Sequence, residues 1–96
     1  MAQKQRRDVL KGREKVAKGF ANHRRIEIME LLSRRGEMTL WQIQKVLGVG
    51  MTTASEHTRR LVAGGQVWKR YEGKRVLHTL TPLGKKCLKF LRTLDN

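Results

Sequence analysis

Apolar residues recur along this chain in blocks of different period, and the breaks between blocks fall at capping residues and glycines. Val9, Val16 and Phe20, backed by Ala17, repeat at helical spacing with Arg13 filling the gap in the stripe. That predicts an amphipathic helix from about Asp8, with Met1 to Arg7 as a frayed basic end. Asn22 is a good helix cap, and Ile26, Ile28, Met29, Leu31 and Leu32 supply a dense apolar face up to Arg35-Gly36, where the helix should stop. Thr39-Leu40-Trp41-Gln42 has the form of a capping box, opening a short helix whose buried stripe is Leu40, Ile43, Val46 and Leu47. Gly48-Val49-Gly50 leaves room only for a tight turn. A third helix follows from about Met51 to Ala63 and ends at Gly64-Gly65.

The period then changes. Val67 to Tyr71 and Arg75 to Leu80 read as two strands joined at Glu72-Gly73-Lys74, a hairpin signal. Thr81-Pro82 starts a last helix, with proline at a well-tolerated first position, and Leu83, Cys87, Leu88, Leu91 and Leu94 line one side of it. The expected fold class is mainly α with a small β-hairpin. Three segments are expected: a basic, helical N-terminal extension over 1–21, a core over 22–81, and a C-terminal helix over 82–96.

Composition narrows the class. Ninety-six residues make one small domain, and a hydrophobic share of 39% is enough for a packed core. Lys and Arg outnumber Asp and Glu by 22 to 8, a formal net charge of +14 spread over the whole chain. Such a field attracts polyanions, nucleic acid first and an anionic membrane surface as the lesser alternative. No run approaches the length of a membrane span, and the basic N-terminus is not followed by a signal-peptide segment, so no membrane association is expected. The single cysteine, Cys87, forms neither an internal disulfide nor a structural zinc cluster, which favours a reducing, cytoplasmic setting. No nucleophile, base and orienting group stand at a recognisable spacing and no phosphate loop appears, so an enzyme is not expected, and no cofactor.

Two short helices joined by a three-residue glycine turn make a helix-turn-helix, and a basic hairpin after them makes it winged. Here the chain resembles a known family. Residues Asn22 to Leu32 are similar to the first helix of ArsR-like winged-helix repressors and Thr39 to Leu47 to their second. Leu47 to His57 resembles their turn and recognition helix, and Arg70 to Val76 their wing. Leu80-Thr81-Pro82-Leu83-Gly84-Lys85-Lys86 is similar to the related MarR-like regulators. The likeness runs from Ala21 to Lys86 without a gap. Gly50 stands where the family often has a serine cap, Thr58 where it usually has a core leucine, and Glu56 where a basic residue is common. Metal sensors of the family carry paired cysteines near the recognition helix. Trp41 to Leu47 contains none, so metal sensing is not implied.

Helical geometry sorts the third helix independently of the family. Ala54, Thr58, Leu61 and Val62 cluster on one side, while Thr52, Glu56, Arg59 and Arg60 point the other way with Thr53 and Ser55 at the flanks. Short polar side chains let a helix approach base edges, arginines suit phosphate or guanine, and a carboxylate suits a cytosine amino group. The candidate DNA contacts are therefore Met51, Thr52, Thr53, Ser55, Glu56, Arg59 and Arg60 on this helix, and Lys69, Arg70, Lys74 and Arg75 on the wing. The plainer alternative is a solvated helix face and a hairpin edge kept soluble by lysines. Clustered like charge on so small a ribbon asks for a compensating partner, which groove potential or phosphates would supply.

The remaining residues carry less. His23, His57 and His78 stand at no metal-binding interval, which points to surface or supporting roles, and Cys87 to a small core or interface residue. Trp41 falls off the stripe of its helix and Trp68 lies opposite Val67 on its strand. Covering the N-terminal helix, covering a second subunit and filling an internal gap all fit them. Val9, Val16 and Phe20 near one end, with Leu88, Phe90, Leu91 and Leu94 near the other, exceed what one small core needs, and predict a homodimer through the terminal helices. This resembles how the family pairs. The function expected is a sequence-specific regulator of transcription that binds double-stranded DNA, a repressor, with any small-molecule effector unnamed. The alternatives are a sequence-tolerant architectural DNA-binding protein and a winged helix serving protein or RNA interaction.

Overall fold

Capping and turn chemistry divide the chain where the hydrophobic pattern breaks. The computed structural model describes residues 2–95. Among them the chain forms five helices and three strands: α1 (Gln3–Phe20), α2 (His23–Arg35), β1 (Met38–Thr39), α3 (Leu40–Leu47), α4 (Met51–Ala63), β2 (Val67–Glu72), β3 (Arg75–Leu80) and α5 (Pro82–Arg92). Met1, at the start of the expected basic end, and Asn96, at the close of the expected C-terminal segment, lie outside the described residues.

The Asn22 carboxamide oxygen accepts from the backbone N–H groups of Arg24 and Arg25 at 2.9 and 3.2 Å, starting α2. Thr39 Oγ1 accepts from the Gln42 N–H at 3.1 Å while Gln42 Oε1 accepts from the Thr39 N–H at 2.9 Å, so the capping box closes in both directions. Gly48 ends α3 in the left-handed region at φ 69°, where a side chain would be strained. The Gln44 side-chain amide then donates to the Val49 carbonyl at 2.7 Å, which braces the turn against α3. Thr81 Oγ1 accepts from the Gly84 N–H at 2.9 Å and donates to the Gly65 carbonyl at 2.6 Å, opening α5 behind Pro82.

Ile28, Met29, Leu31 and Leu32 of α2 form the centre of the core, joined by Ile43 and Leu47, Leu61, Val67 and Leu80, and Leu88. The sheet order is β1-β3-β2, antiparallel throughout. The fold class is that expected from the pattern, and so is the element order apart from β1.

Several local features differ from the expectation. Helix α1 begins at Gln3 instead of near Asp8, because Gln, Lys and Arg are good helix formers and nothing breaks the run. The short strand β1 has no counterpart in the pattern, since two residues are too few to show alternation; Met38 and Thr39 pair with His78 and Leu77. Glu72 pairs with Arg75, so the hairpin turns on Gly73-Lys74 alone. Val46, Leu83 and Leu94 are exposed although they sit on predicted apolar stripes. Trp41 and Trp68 are exposed as well, and neither fills an internal gap.

Gln66 joins the distant parts. It is fully buried between α4 and β2, and its side-chain amide donates to the Val16 carbonyl of α1 at 2.9 Å. Its backbone N–H donates to Leu61 and its carbonyl accepts from the Thr81 N–H. Gln66 Oε1 faces Gly19 and Gly64, in the space that a Cβ on either would occupy. A Cβ at Gly64 would also stand 2.7 Å from the Cα of Gly19, whereas one at Gly12 meets nothing within 4 Å. Gly64→Ala should therefore cost about 1–3 kcal/mol through overpacking, and Gly12→Ala should add about 0.5–1 kcal/mol by restraining the unfolded chain. Urea unfolding of the two variants checks the opposite signs.

Candidate nucleic-acid interface

Helix α4 is sorted as its geometry predicts. Ala54, Thr58 and Leu61 are buried, and the Thr58 hydroxyl satisfies itself by donating to the Ser55 carbonyl at 3.0 Å. The hydroxyl is thus satisfied within its own helix, which lets a threonine sit on the buried face. Met51, Thr52, Thr53, Arg59 and Arg60 are exposed, with Ser55 and Glu56 half-buried beside them. Gly50 caps α4 without a side-chain hydrogen bond. Glu56 accepts from Arg60 Nε at 3.0 Å and from the Arg59 guanidinium. The Arg60 hydrogen bond, then the Arg59 charge, hold its carboxyl below the ordinary value. The carboxylate thus aims two guanidinium groups along the outer face of α4.

The register of the hairpin puts Val67, Lys69, Tyr71, Val76, His78 and Leu80 on one face and Trp68, Arg70, Glu72, Arg75, Leu77 and Thr79 on the other. Lys69 Nζ lies 5.8 Å from the Tyr71 ring centroid. Arg70 donates to both carboxylate oxygens of Glu37 at 2.7 Å and to Glu72 at 3.1 Å, and Arg75 donates to Glu72 at 3.4 Å. The crowded charge expected to need an outside partner is thus partly met within the chain. Glu37, just before β1, is a residue the sequence pattern did not single out, because it is separated from Arg70 by the whole helix-turn-helix. The hydrogen bonds that Arg70 donates to Glu37 hold the Glu37 carboxyl low and raise the Arg70 guanidinium. Lys69 and Lys74 have no carboxylate within ion-pair distance among the described residues.

Helix α4 and the hairpin share one edge. Ser55 and Arg59 of α4 face Lys69, Tyr71 and His78 of the wing across a cavity of about 270 Å³. A second basic edge was not singled out by the pattern. Lys11, Lys15 and Lys18 of α1 join Arg60 along a cavity of about 330 Å³ that Glu14 also lines, paired with Lys18 at 3.7 Å; the lysine spacing on one helix face is the signal that marks them. Burial, then the charge of Arg25, hold the half-buried His57 below its ordinary value.

The seven apolar residues assigned to dimerisation divide. Leu88 is 2% exposed and belongs to the chain's own core, so it offers no surface to a second subunit. Val16, Phe20 and Leu91 also pack against that core from its rim. Val9, Phe90 and Leu94 remain exposed, together with Leu10. Cys87 is buried. Among the described residues, no three His, Cys, Asp or Glu side chains converge as metal ligands, and no helix is long and apolar enough to cross a membrane.

No family model matches the chain. Over 61 residues, 64% of the chain, it is 41% identical to an HTH-type transcriptional regulator of Mycobacterium tuberculosis; the match covers 26% of that protein. Its fold superposes with a TM-score of 0.82 on a 100-residue fragment of a possible transcriptional regulatory protein from Mycobacterium bovis, at 30% identity over 90% of this chain and 92% of that one. The solution structure of that fragment is described as the homodimeric winged helix-turn-helix DNA-binding domain of a possible ArsR-family transcriptional regulator. It gives a TM-score of 0.86 at 27% identity, covering 98% of this chain and 87% of that one. The chain belongs to the ArsR family of winged helix-turn-helix transcriptional regulators.

In this ArsR-family chain the wing carries a buried titratable group. His78 is nearly inaccessible and its Nδ1 has no hydrogen-bond partner among the described residues. Burial lowers its affinity for a proton below the ordinary value of 6.5, against a smaller opposing pull from the Met38 carbonyl. The unfolded chain therefore binds the proton more readily, and stability present above pH 6.5 is lost as pH falls toward the folded-state value. Denaturant midpoints between pH 7.5 and pH 5 should decline, and His78→Gln should make that decline shallower.

Proposed function

We propose that this ArsR-family chain binds double-stranded DNA in a sequence-specific manner and represses transcription as a homodimer. The observation that carries this reading is the adjacency of the outward polar face of α4, from Met51 to Arg60, and the basic wing across a shared cavity. Thr52, Thr53, Ser55 and Glu56 have short arms suited to base edges. Arg59, Arg60, Lys69, Arg70, Lys74 and Arg75 suit phosphates and the adjoining minor groove. The description of the M. bovis relative as a homodimeric DNA-binding domain supports the same reading. The segment 22–81 is then the DNA-binding unit, flanked by terminal helices that pair.

The dimer half rests on α1. From Ala2 to Lys15 every residue is exposed, and the Cα radius of gyration of 14.4 Å exceeds the roughly 12.5 Å of a compact chain this long. An isolated helix of this length is marginal in water, so its projecting part gains from packing against a second copy. Val9 and Leu10, with Phe90 of α5 and Leu94 just beyond its end, supply the apolar surface.

Selection of bound duplexes from a random pool tests sequence specificity. Glu56→Ala should strengthen non-specific binding while relaxing preference at one base pair, a change of about 1–3 kcal/mol in discrimination. Lys74→Ala should weaken all duplexes alike and lower the log–log salt slope by about one unit. An unchanged selected sequence for Glu56→Ala, with no loss for Lys74→Ala, refutes this docking and favours an architectural or protein-binding role. Sedimentation should give a dimer, and recognition helices about one DNA turn (~34 Å) apart should select a near-palindromic site. Val9→Glu with Phe90→Glu should shift the equilibrium to monomer and weaken operator binding. A native chain that stays monomeric at tens of micromolar, with and without duplex, contradicts the pairing.

A further inference from the structure

Three elements meet at one open trough of about 610 Å³: Leu40 and Trp41 from α3, Met51 from α4, and Lys74, Arg75 and Val76 from the wing. Trp41 is 58% exposed and Met51 43%, so two large apolar side chains lie open to water beside two cations. No carboxylate is among the residues that line the trough, and the Glu72 that Arg75 reaches at 3.4 Å lies outside it. Lys45 Nζ stands 5.0 Å from the Trp41 ring centroid, a cation–π contact that steadies the ring and adds positive charge next to it.

This mixture selects its occupant. An apolar protein surface would have to desolvate Lys74 and Arg75, and an open trough gives a small ligand little enclosure. A polymer that alternates an apolar ring with an anionic linkage satisfies both halves, and the sugar–phosphate backbone of DNA is such a polymer. We infer that this trough seats the backbone of one duplex strand, with Trp41 and Met51 against deoxyribose and Lys74 and Arg75 against the flanking phosphates. The inference rests on the DNA-binding reading above and adds the first turn of α3 as a third contact element, one that reads no base. Trp68 lies on the face of β2 opposite Val67, is 62% exposed, and is not among the residues that line the trough.

The two tryptophans make the test internally controlled. In a Trp68→Phe protein, saturation with a short random-sequence duplex should quench Trp41 emission and protect it from iodide. In a Trp41→Phe protein, Trp68 should respond to neither. Trp41→Ala should weaken random and selected duplexes alike by about tenfold with an unchanged salt slope, because the lost contact releases no counterions; Trp41→Phe should restore most of the affinity. Fluorescence anisotropy of labelled duplex follows binding separately. Duplex bound by anisotropy with Trp41 unperturbed, or with Trp68 quenched equally, overturns the inference while leaving DNA binding in place. No anisotropy change with random or selected duplex overturns the DNA-binding reading and this inference with it.

Discussion

One buried glutamine holds the two ends of this chain to its middle. Gln66 sits at the junction of α4 and β2, and its hydrogen bonds reach α1 at Val16, α4 at Leu61 and the start of α5 at Thr81. A polar side chain so deeply buried is stable only if its groups find partners. The amide donates to a carbonyl, while its oxygen lies against the glycines where α1 and α4 approach most closely. That oxygen has no N–H or O–H partner among the described residues, and Cα–H contacts from the two glycines are the weak substitute the geometry allows. Gly84 repeats the pattern on the third side, where a Cβ would collide with the Gln66 carbonyl.

Because that junction is rigid, the direction in which α4 leaves it and the direction in which the hairpin returns are linked. The wing is held again at β1, where Met38 and Thr39 add a third strand and Glu37 clamps Arg70 from just beyond it. Exposed ion pairs of this kind contribute little stability, since solvent screens them. What they set is orientation: Arg70 is turned toward Glu37 and Glu72, whereas Lys74 at the tip remains available. On α4, Glu56 pairs with both Arg59 and Arg60 and aligns them along the helix. A net charge of +14 therefore does not act as an even coat. Its few carboxylates orient Arg59, Arg60, Arg70 and Arg75, while Lys69 and Lys74 have no such pairing among the described residues.

Much of this was legible from local chemistry. The caps at Asn22, Thr39 and Thr81, the glycine turn at Gly48 and the apolar periods of α2 and α4 all act within a few residues, so the pattern of side chains along the chain sufficed to locate them. The inward face of α4 could be read for the same reason. Strand β1 could not, because two residues carry no period, and α1 was underestimated because its first turns are helical by propensity and have no apolar face.

The sequence by itself determined the order of the helices and the hairpin, the winged helix-turn-helix class and the polar face of α4, since these depend on interactions of short range along the chain. Only the tertiary structure decided which side chains with the same local signal share a surface. It drew Leu88 into the core and left Phe90 outside, left Trp41 beside Met51 and the wing tip, and brought Glu37 to Arg70 across the whole helix-turn-helix. Those outcomes depend on packing between segments far apart in sequence. Gly19, Gly64 and Gln66 set that packing through close approach, which no one segment reveals.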